Sequence, residues 1–143
     1  MSGMSRNKGK AGERELAALL TSITGQTIKR RVRQHDGDDD LMGLEGWSIE
    51  CKRYATAKPA QIAGWWAQAV NQASVSQLTP VLFYRANSRP WRAVWLPACT
   101  AQTSYQFTIE ADPLAWWLME GTQLNGQVPE PIKGSQDAQE REV

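Results

Sequence analysis

Residues 38–53, DDDLMGLEGWSIECKR, join an acidic start to an alternating run that is typical of a β-strand. Side chains on a strand point alternately to opposite faces, so Glu50 and Lys52 share one face and Cys51 points to the other. If Asp40 begins the preceding strand, two carboxylates and an ammonium group meet at one edge of a small sheet. Such a group can bind a hard divalent cation and act on a phosphodiester.

The rest of the chain alternates between helical and strand patterns. The spacing predicts helices over 8–24, 59–76 and 113–120, and strands over 27–33, 41–44, 47–52, 79–84, 92–96 and, more weakly, 105–109. The hairpin turn is expected near Glu45-Gly46, and Asp112 is a suitable N-cap for the last helix. This order predicts an α/β fold with one mixed sheet and helices packed against it.

Length and composition favour one globular domain. A chain of 143 residues with 41% hydrophobic and 22% charged residues can form a single core, here expected over residues 1–125. Residues 126–143 are polar and lack apolar periodicity, which predicts a disordered tail. No apolar run approaches the roughly 20 residues of a membrane span, and the N-terminus lacks the apolar core of a signal peptide. The two cysteines fit neither a metal nor a disulfide framework, so a reduced cytoplasmic setting is expected.

Charge is distributed unevenly along the chain. Residues 1–35 contain eight Lys or Arg against two Glu, whereas residues 36–50 contain six acids and no Lys or Arg. A basic surface beside an acidic pocket suits a polyanion that is held by its phosphates and cut at a metal ion, and a mixed, soluble surface is the alternative. The candidate phosphate contacts are Lys8, Lys10, Lys29, Arg30, Arg31, Arg33, Arg53 and Lys58. The basic segment 29–33 also fits a solvated edge strand that is charged to prevent aggregation.

A magnesium or manganese site needs oxygen ligands from more than one segment. Asp40 and Glu50 can supply carboxylates, and the backbone carbonyl of Cys51 can supply a third oxygen. Lys52 can orient a water and offset charge on the transition state, while Glu13 can complete the anionic pocket from the first helix. Three consecutive aspartates leave the register open, so Asp39 remains an alternative ligand to Asp40.

Seven tryptophans are spread over helical stripes and strands. Packing in the core or at a dimer interface is their expected role, and stacking on DNA bases is the alternative. A flat apolar surface on the second half of the chain, formed by Trp65, Trp66, Trp91 and Trp95, is the candidate dimer contact.

Two motifs resemble known nucleases. Residues 8–16, KGKAGEREL, resemble the opening helix of archaeal-type Holliday-junction resolvases, which carry a KGxxxER signature. Asp40 with Glu50-x-Lys52 resembles the PD-(D/E)XK motif of the superfamily to which these resolvases belong. Gln68, eighteen residues after Glu50, resembles the glutamine of the resolvase pattern.

The resemblance, over roughly residues 5–86, carries several implications. It implies a restriction-endonuclease-like core and a Mg²⁺- or Mn²⁺-dependent homodimer that cleaves four-way DNA junctions in recombination or repair. By match, catalytic roles fall on Glu13, Asp40, Glu50 and Lys52, with supporting roles for Arg14, near phosphate, and Gln68. The alternatives are a nuclease for DNA ends, flaps or duplex restriction sites, and a DNA-binding module that keeps the fold without catalysis.

Overall fold

The computed structural model describes residues 2–31 and 40–121, with side chains from Gly9 onward. Four elements of the sequence predictions lie outside this range: the side chain of Lys8, Arg33, the alternative ligand Asp39 and the tail over residues 126–143. The bounds predicted for a single domain over 1–125 therefore stay a prediction.

Helices and strands alternate through the described residues. The helices are α1 (Ser2–Thr24), α2 (Pro59–Ser76) and α3 (Pro113–Trp116), the last continuing as a π-helical turn over Trp117–Gly121. The strands are β1 (Lys29–Arg30), β2 (Leu41–Met42), β3 (Trp47–Arg53), β4 (Thr79–Arg85), β5 (Arg92–Trp95) and β6 (Ile109–Ala111).

The strands form a sheet whose order follows the chain from β1 to β6. Neighbouring strands are antiparallel except β3 and β4, which run parallel and need a crossover connection, here α2. The register pairs Glu50 with Leu82 and Lys52 with Tyr84. This arrangement confirms the predicted α/β fold with a central mixed sheet flanked by helices.

Local chemistry sets the helix ends. Gly25 ends α1 with φ at +72°, a conformation that glycine adopts without steric cost. Pro59 begins α2, where the backbone N–H of Lys58 donates to Oε1 of Gln61 at 2.8 Å. Asp112 caps α3 by accepting from the N–H of Leu114 at 2.8 Å, which confirms the predicted N-cap. No helix of the described residues is long and apolar enough to cross a membrane.

Each face of the sheet carries its own apolar cluster. The face covered by α1 and α3, called the α1 face below, buries side chains from α1 and from alternate positions of the strands: Leu16, Leu20, Trp47, Ile49, Val81, Phe83, Trp95 and Trp116. The opposite face, the α2 face, buries Ile62, Trp65, Trp66, Ala69, Leu82 and Val94. The strand alternation therefore decides which residues of β3 meet which helix.

All seven tryptophans are buried in the protomer, which confirms their expected role in packing. The ring of Trp116 makes edge-to-face contacts with Trp47 and Phe83, each at 5.1 Å between centroids. The proposed dimer contact through Trp65, Trp66, Trp91 and Trp95 is wrong, because these rings are enclosed by their own chain and offer no flat outer surface.

The weak strand predicted over 105–109 is also wrong in position. Tyr105–Phe107 forms a 3₁₀ turn, and the strand β6 begins only at Ile109. The hydroxyl and the N–H of Thr108 both bond to the carbonyl of Tyr105, at 2.6 and 3.0 Å. These local bonds compete with strand pairing, so the strand begins only after Thr108.

Candidate active site

A tight hairpin between β2 and β3 builds the candidate site. Gly43 and Gly46 have φ values of +124° and +87°, which L side chains rarely adopt. A Cβ at Gly43 would lie 2.3 Å from the carbonyl oxygen of Thr27, so the hairpin also needs glycine to pass this backbone. The pairing of Leu41 with Ile49 confirms the predicted hairpin.

Asp40 lies at the mouth of this hairpin and is fixed there by its backbone and its side chain. Its N–H donates to the carbonyl of Ile49 at 3.1 Å, and its own carbonyl accepts from the N–H of Arg31 at 3.0 Å. The carboxylate oxygen Oδ2 accepts from the N–H of Cys51 at 2.7 Å. With only 2% of Asp40 exposed, the carboxylate is held against the Glu50–Cys51 peptide.

Glu50 and Lys52 lie on the α2 face, next to Asp40. Glu50 pairs with Leu82, a member of the α2-face cluster, and strand alternation places Lys52 on the same side. Leu41 belongs to the α1-face cluster, so the preceding Asp40 points to the α2 face as well. The structure therefore brings three of the predicted residues together.

Both carboxylates are buried, since Glu50 is 4% exposed and Asp40 2%. Removing an ionised carboxylate from water costs several kcal/mol unless cations or hydrogen bonds offset it. Two carboxylates and a backbone carbonyl are oxygen ligands of the kind that Mg²⁺ takes in proteins, so the chemistry of this donor set suits such an ion.

The thiol of Cys51 points to the α1 face and does not belong to this donor set. Burial raises its pKa, the carboxylates of Glu13 and Glu50 raise it further, and Lys52 opposes them. The thiol stays protonated at neutral pH and is a poor metal ligand in that form. Cys51 can therefore contribute to this donor set only through its backbone carbonyl.

Glu13 does not join Asp40 and Glu50 in the structure. It projects from α1 on the opposite face of the sheet, where it accepts from Nε of Arg30 at 2.6 Å. Among residues 2–31 and 40–121, no group of three or more His, Cys, Asp or Glu side chains is placed to hold a metal ion. The predicted set of three carboxylates is therefore not assembled, and Asp40 with Glu50 is the pair that the fold brings together.

Gln68 is exposed on α2, and its side chain makes no hydrogen bond within the described part of the chain. It shares one side of the helix with Trp65, three residues earlier. Trp65 contacts Tyr54, which follows Lys52 on the same face, so Gln68 lies on the side of α2 nearest β3. One turn further, Nε2 of Gln72 is buried without a partner among the described residues. A polar residue on a helix gives no sequence signal that separates these two amides.

The predicted phosphate contacts differ in their surroundings. Lys10, Arg14 and Lys29 are exposed, whereas Arg30 is engaged by Glu13. Arg31 is half-buried, and Nη1 of Arg53 donates to the carbonyl of Tyr54 and to Oδ1 of Asn87, both at 2.8 Å. Three exposed cations on α1 and β1 thus remain directly available to an anion.

Sequence reasoning missed two features beside the site. Tyr54 is 44% exposed, and its ring rests on Trp65 at 4.9 Å between centroids. A cleft of about 600 Å³ opens beyond Tyr84, lined by residues that follow β3, by the turn before β5 and by Glu110 of β6. Only the pairing of four strands brings these segments together, so no short sequence pattern indicates the cleft.

One of three comparisons with known proteins identifies a family. A family model described as "Phage putative PDDEXK endonuclease" matches residues 4–112. The comparison with curated proteins finds no match. Among solved structures, the chain is similar to the 1.6 Å structure of Archaeoglobus fulgidus Hjc, described as a Holliday junction resolvase from an archaeal hyperthermophile. The identity is 16% and the TM-score 0.45, over 81% of this chain and 93% of that chain.

Proposed function

The chain belongs to this phage PDDEXK endonuclease family, and from that premise we propose that it is a metal-dependent endonuclease that cuts DNA. A nuclease of the PD-(D/E)XK type needs acidic oxygen ligands next to a lysine. One observation carries the proposal: Asp40, Glu50 and Lys52 share one face of the hairpin, with both carboxylates buried.

Asp40, Glu50 and the backbone carbonyl of Cys51 would hold Mg²⁺ or Mn²⁺. Bound there, the ion would polarise the scissile phosphate and lower the pKa of a water. The N–H of Cys51 keeps the Asp40 carboxylate in a fixed direction, so little reorganisation is needed when a ligand arrives.

Lys52 stabilises negative charge as the phosphodiester is broken. Its ammonium group projects on the same face as Glu50 and can donate to a phosphate oxygen and to the attacking water. Gln68, on the side of α2 nearest β3, can donate a further hydrogen bond to that water. Glu13 acts from the other face, where it positions Arg30 for a phosphate.

A surface of exposed cations on α1 and β1, formed by Lys10, Arg14 and Lys29, holds the DNA backbone. We propose four-way junctions as the first substrate, because the motif KGKAGEREL of α1 resembles the opening helix of junction resolvases. Two symmetric cuts in a junction require two sites, so we propose that the protein acts as a homodimer.

Replacing the buried carboxylate tests the nuclease. Glu50→Ala is expected to abolish cleavage of DNA in Mg²⁺ while leaving binding in Ca²⁺ largely intact. Glu45→Ala, an exposed glutamate of the same hairpin, is the matched control and should cut like the wild type. If Glu50→Ala also cuts like the wild type, the site assignment is wrong; if the wild type binds DNA but never cuts, a non-catalytic binding module is the better description.

A substrate comparison tests the finer proposal. Cleavage of a synthetic four-way junction is measured beside a flap, a blunt end and a continuous duplex of the same sequence. A preference for the junction and a dimer mass in sedimentation are expected. Equal or better cleavage of flaps, ends or duplex would assign the protein to those substrates instead.

A further inference from the structure

The cleft beyond Tyr84 adjoins the candidate active site. Tyr84 lines the cleft and pairs in register with Lys52 on the neighbouring strand. Adjacent strands lie about 4.8 Å apart, so the cleft begins one strand away from the lysine. Its volume of about 600 Å³ lies in the range of small-molecule sites, and it is open to solvent.

Positive charge dominates the rim of the cleft. Lys58, Arg89 and Arg92 line it, against Glu110 as the acid among its lining residues. Arg92 is paired with Glu110 at 3.2 Å, whereas Lys58 and Arg89 have no acidic partner within the described residues. Two cations are thus available to an anion at the entrance.

The surface of the cleft is more apolar than polar, and Tyr84 lines it with 7% of its surface exposed. Ala57, Pro90 and the ring of Tyr84 contribute to it, and Trp65 supports Tyr84 from behind at 5.9 Å between centroids. Burial raises the pKa of Tyr84, and the neighbouring Glu110 raises it further, so the phenol stays neutral. A neutral aromatic wall beneath a cationic rim matches a nucleotide, which has a flat base and an anionic phosphate.

We propose that this cleft receives one unstacked nucleotide of the substrate strand, next to the phosphate that is cut. Lys58 and Arg89 bind its phosphate, and the wall with Tyr84 contacts its base. A base inside a continuous duplex cannot enter a concave site, so the target must be unpaired or easily flipped out. The inference rests on the proposed nuclease function and narrows its substrates to DNA with a weak or open position beside the cut.

The test uses the full chain and synthetic junctions in two states. In Ca²⁺, 2-aminopurine is placed at successive positions, and its fluorescence should rise on binding at one position, where the base leaves the stack. In Mg²⁺, an abasic residue at that position should lower kcat/KM roughly tenfold, the effect typical of losing one base contact. Abasic residues elsewhere should change it little.

Two variants test whether the fluorescence rise and the sensitivity to the abasic residue arise from the cleft. Ala55→Trp fills the cleft from an exposed position, and Arg89→Ala removes a rim cation; both should abolish the fluorescence rise and the sensitivity to the abasic residue. Ala98→Trp, at an exposed alanine in the turn after β5, is the control for adding a large ring and should behave like the wild type.

The outcomes separate this inference from the nuclease function. If the protein cuts DNA but no position shows a fluorescence rise, or if Ala55→Trp changes nothing, the nucleotide site is overturned and the nuclease stands. If no DNA is cut but the fluorescence rise occurs and is lost in Ala55→Trp, the nucleotide site stands and the nuclease proposal fails.

Discussion

The two faces of the sheet bury different chemistry, although one strand serves both. On the α1 face, β3 contributes Trp47, Ile49 and Cys51 to an aromatic core. On the α2 face, the same strand contributes Ser48, Glu50 and Lys52. Because successive side chains of a strand point to opposite faces, β3 stabilises the fold on one side and carries reactive groups on the other. Substitutions on the two faces should therefore have separable effects.

The largest effect is expected in the aromatic core. Phe83→Ala removes a fully buried ring that packs against Trp116, so the free energy of unfolding should fall by about 3–5 kcal/mol. Urea denaturation measures it, with the exposed Leu118→Ala as a control that should change stability by less than about 0.5 kcal/mol. Equal effects of the two changes would contradict the burial of Phe83.

The next effect concerns Lys52 on the reactive face. Lys52→Met keeps the length of the side chain and removes its charge, so single-turnover cleavage in Mg²⁺ should slow at least about 100-fold. Its stability should stay within about 0.5 kcal/mol of the wild type, because Lys52 is only half-buried. Unchanged cleavage would exclude Lys52 from the reaction.

Neutralising a buried acid is expected to raise stability, the opposite of the loss expected for Phe83→Ala. Glu50→Gln removes the charge of one of two buried carboxylates on the same face of the hairpin, so their mutual repulsion is lost and the free energy of unfolding should rise by about 1 kcal/mol in EDTA. Urea denaturation in EDTA is the measurement, and the exposed Glu45→Gln should leave the midpoint unchanged. A large loss of stability in Glu50→Gln would show that the Glu50 carboxylate stabilises the fold.

Two glutamates of α1 offer a smaller contrast. Glu15 accepts from Nη1 of Arg85 at 2.5 Å and from the indole of Trp91 at 2.6 Å, which ties α1 to β4 and to the segment before β5. Glu15→Gln should cost about 1 kcal/mol of stability and leave DNA cleavage intact. Glu13→Gln, two residues earlier, should lower the rate of cleavage, because Arg30 loses the carboxylate that positions it. If the two variants had the same effects on stability and cleavage, the separate roles of Glu13 and Glu15 would be contradicted.

The smallest expected effect is a difference in reactivity between the two cysteine thiols. The pKa of the Cys51 thiol is raised by burial and then by nearby carboxylates, whereas Cys99 is exposed. A raised pKa lowers the thiolate fraction, so a thiol reagent at about pH 8 should modify Cys99 and spare Cys51 until the protein is unfolded. Mass spectrometry after labelling measures this, and rapid native labelling of Cys51 would contradict it.

Local patterns predicted much of this architecture. The hairpin of β2 and β3, the bounds of α2 and the cap at Asp112 depend on residues that are close in sequence, and the structure has all three. The grouping of Asp40, Glu50 and Lys52 also follows from strand alternation once the hairpin is recognised.

Long-range placement could not be predicted in the same way. The face of the sheet on which Glu13 lies depends on how α1 packs, and Gly12 permits this approach because a Cβ there would lie 2.5 Å from Cβ of Arg53. The burial of Trp91 and Trp95 requires neighbours from other elements. The cleft beside Tyr84 exists only where β3 to β6 meet, so its residues are scattered along the chain.

The hydrogen bond from Cys51 to Asp40 has a consequence for the evolution of this fold. The bond that orients the acid also fastens one strand of the hairpin to the other. A descendant that has lost catalysis but kept the scaffold is therefore expected to carry asparagine at position 40, since an amide oxygen still accepts from that N–H. Alanine at position 40 would remove both the acid and the hydrogen bond, so it would destabilise the hairpin as well as abolish catalysis. The residue at position 40 would therefore distinguish an inactive relative that keeps a stable fold from one that is losing it.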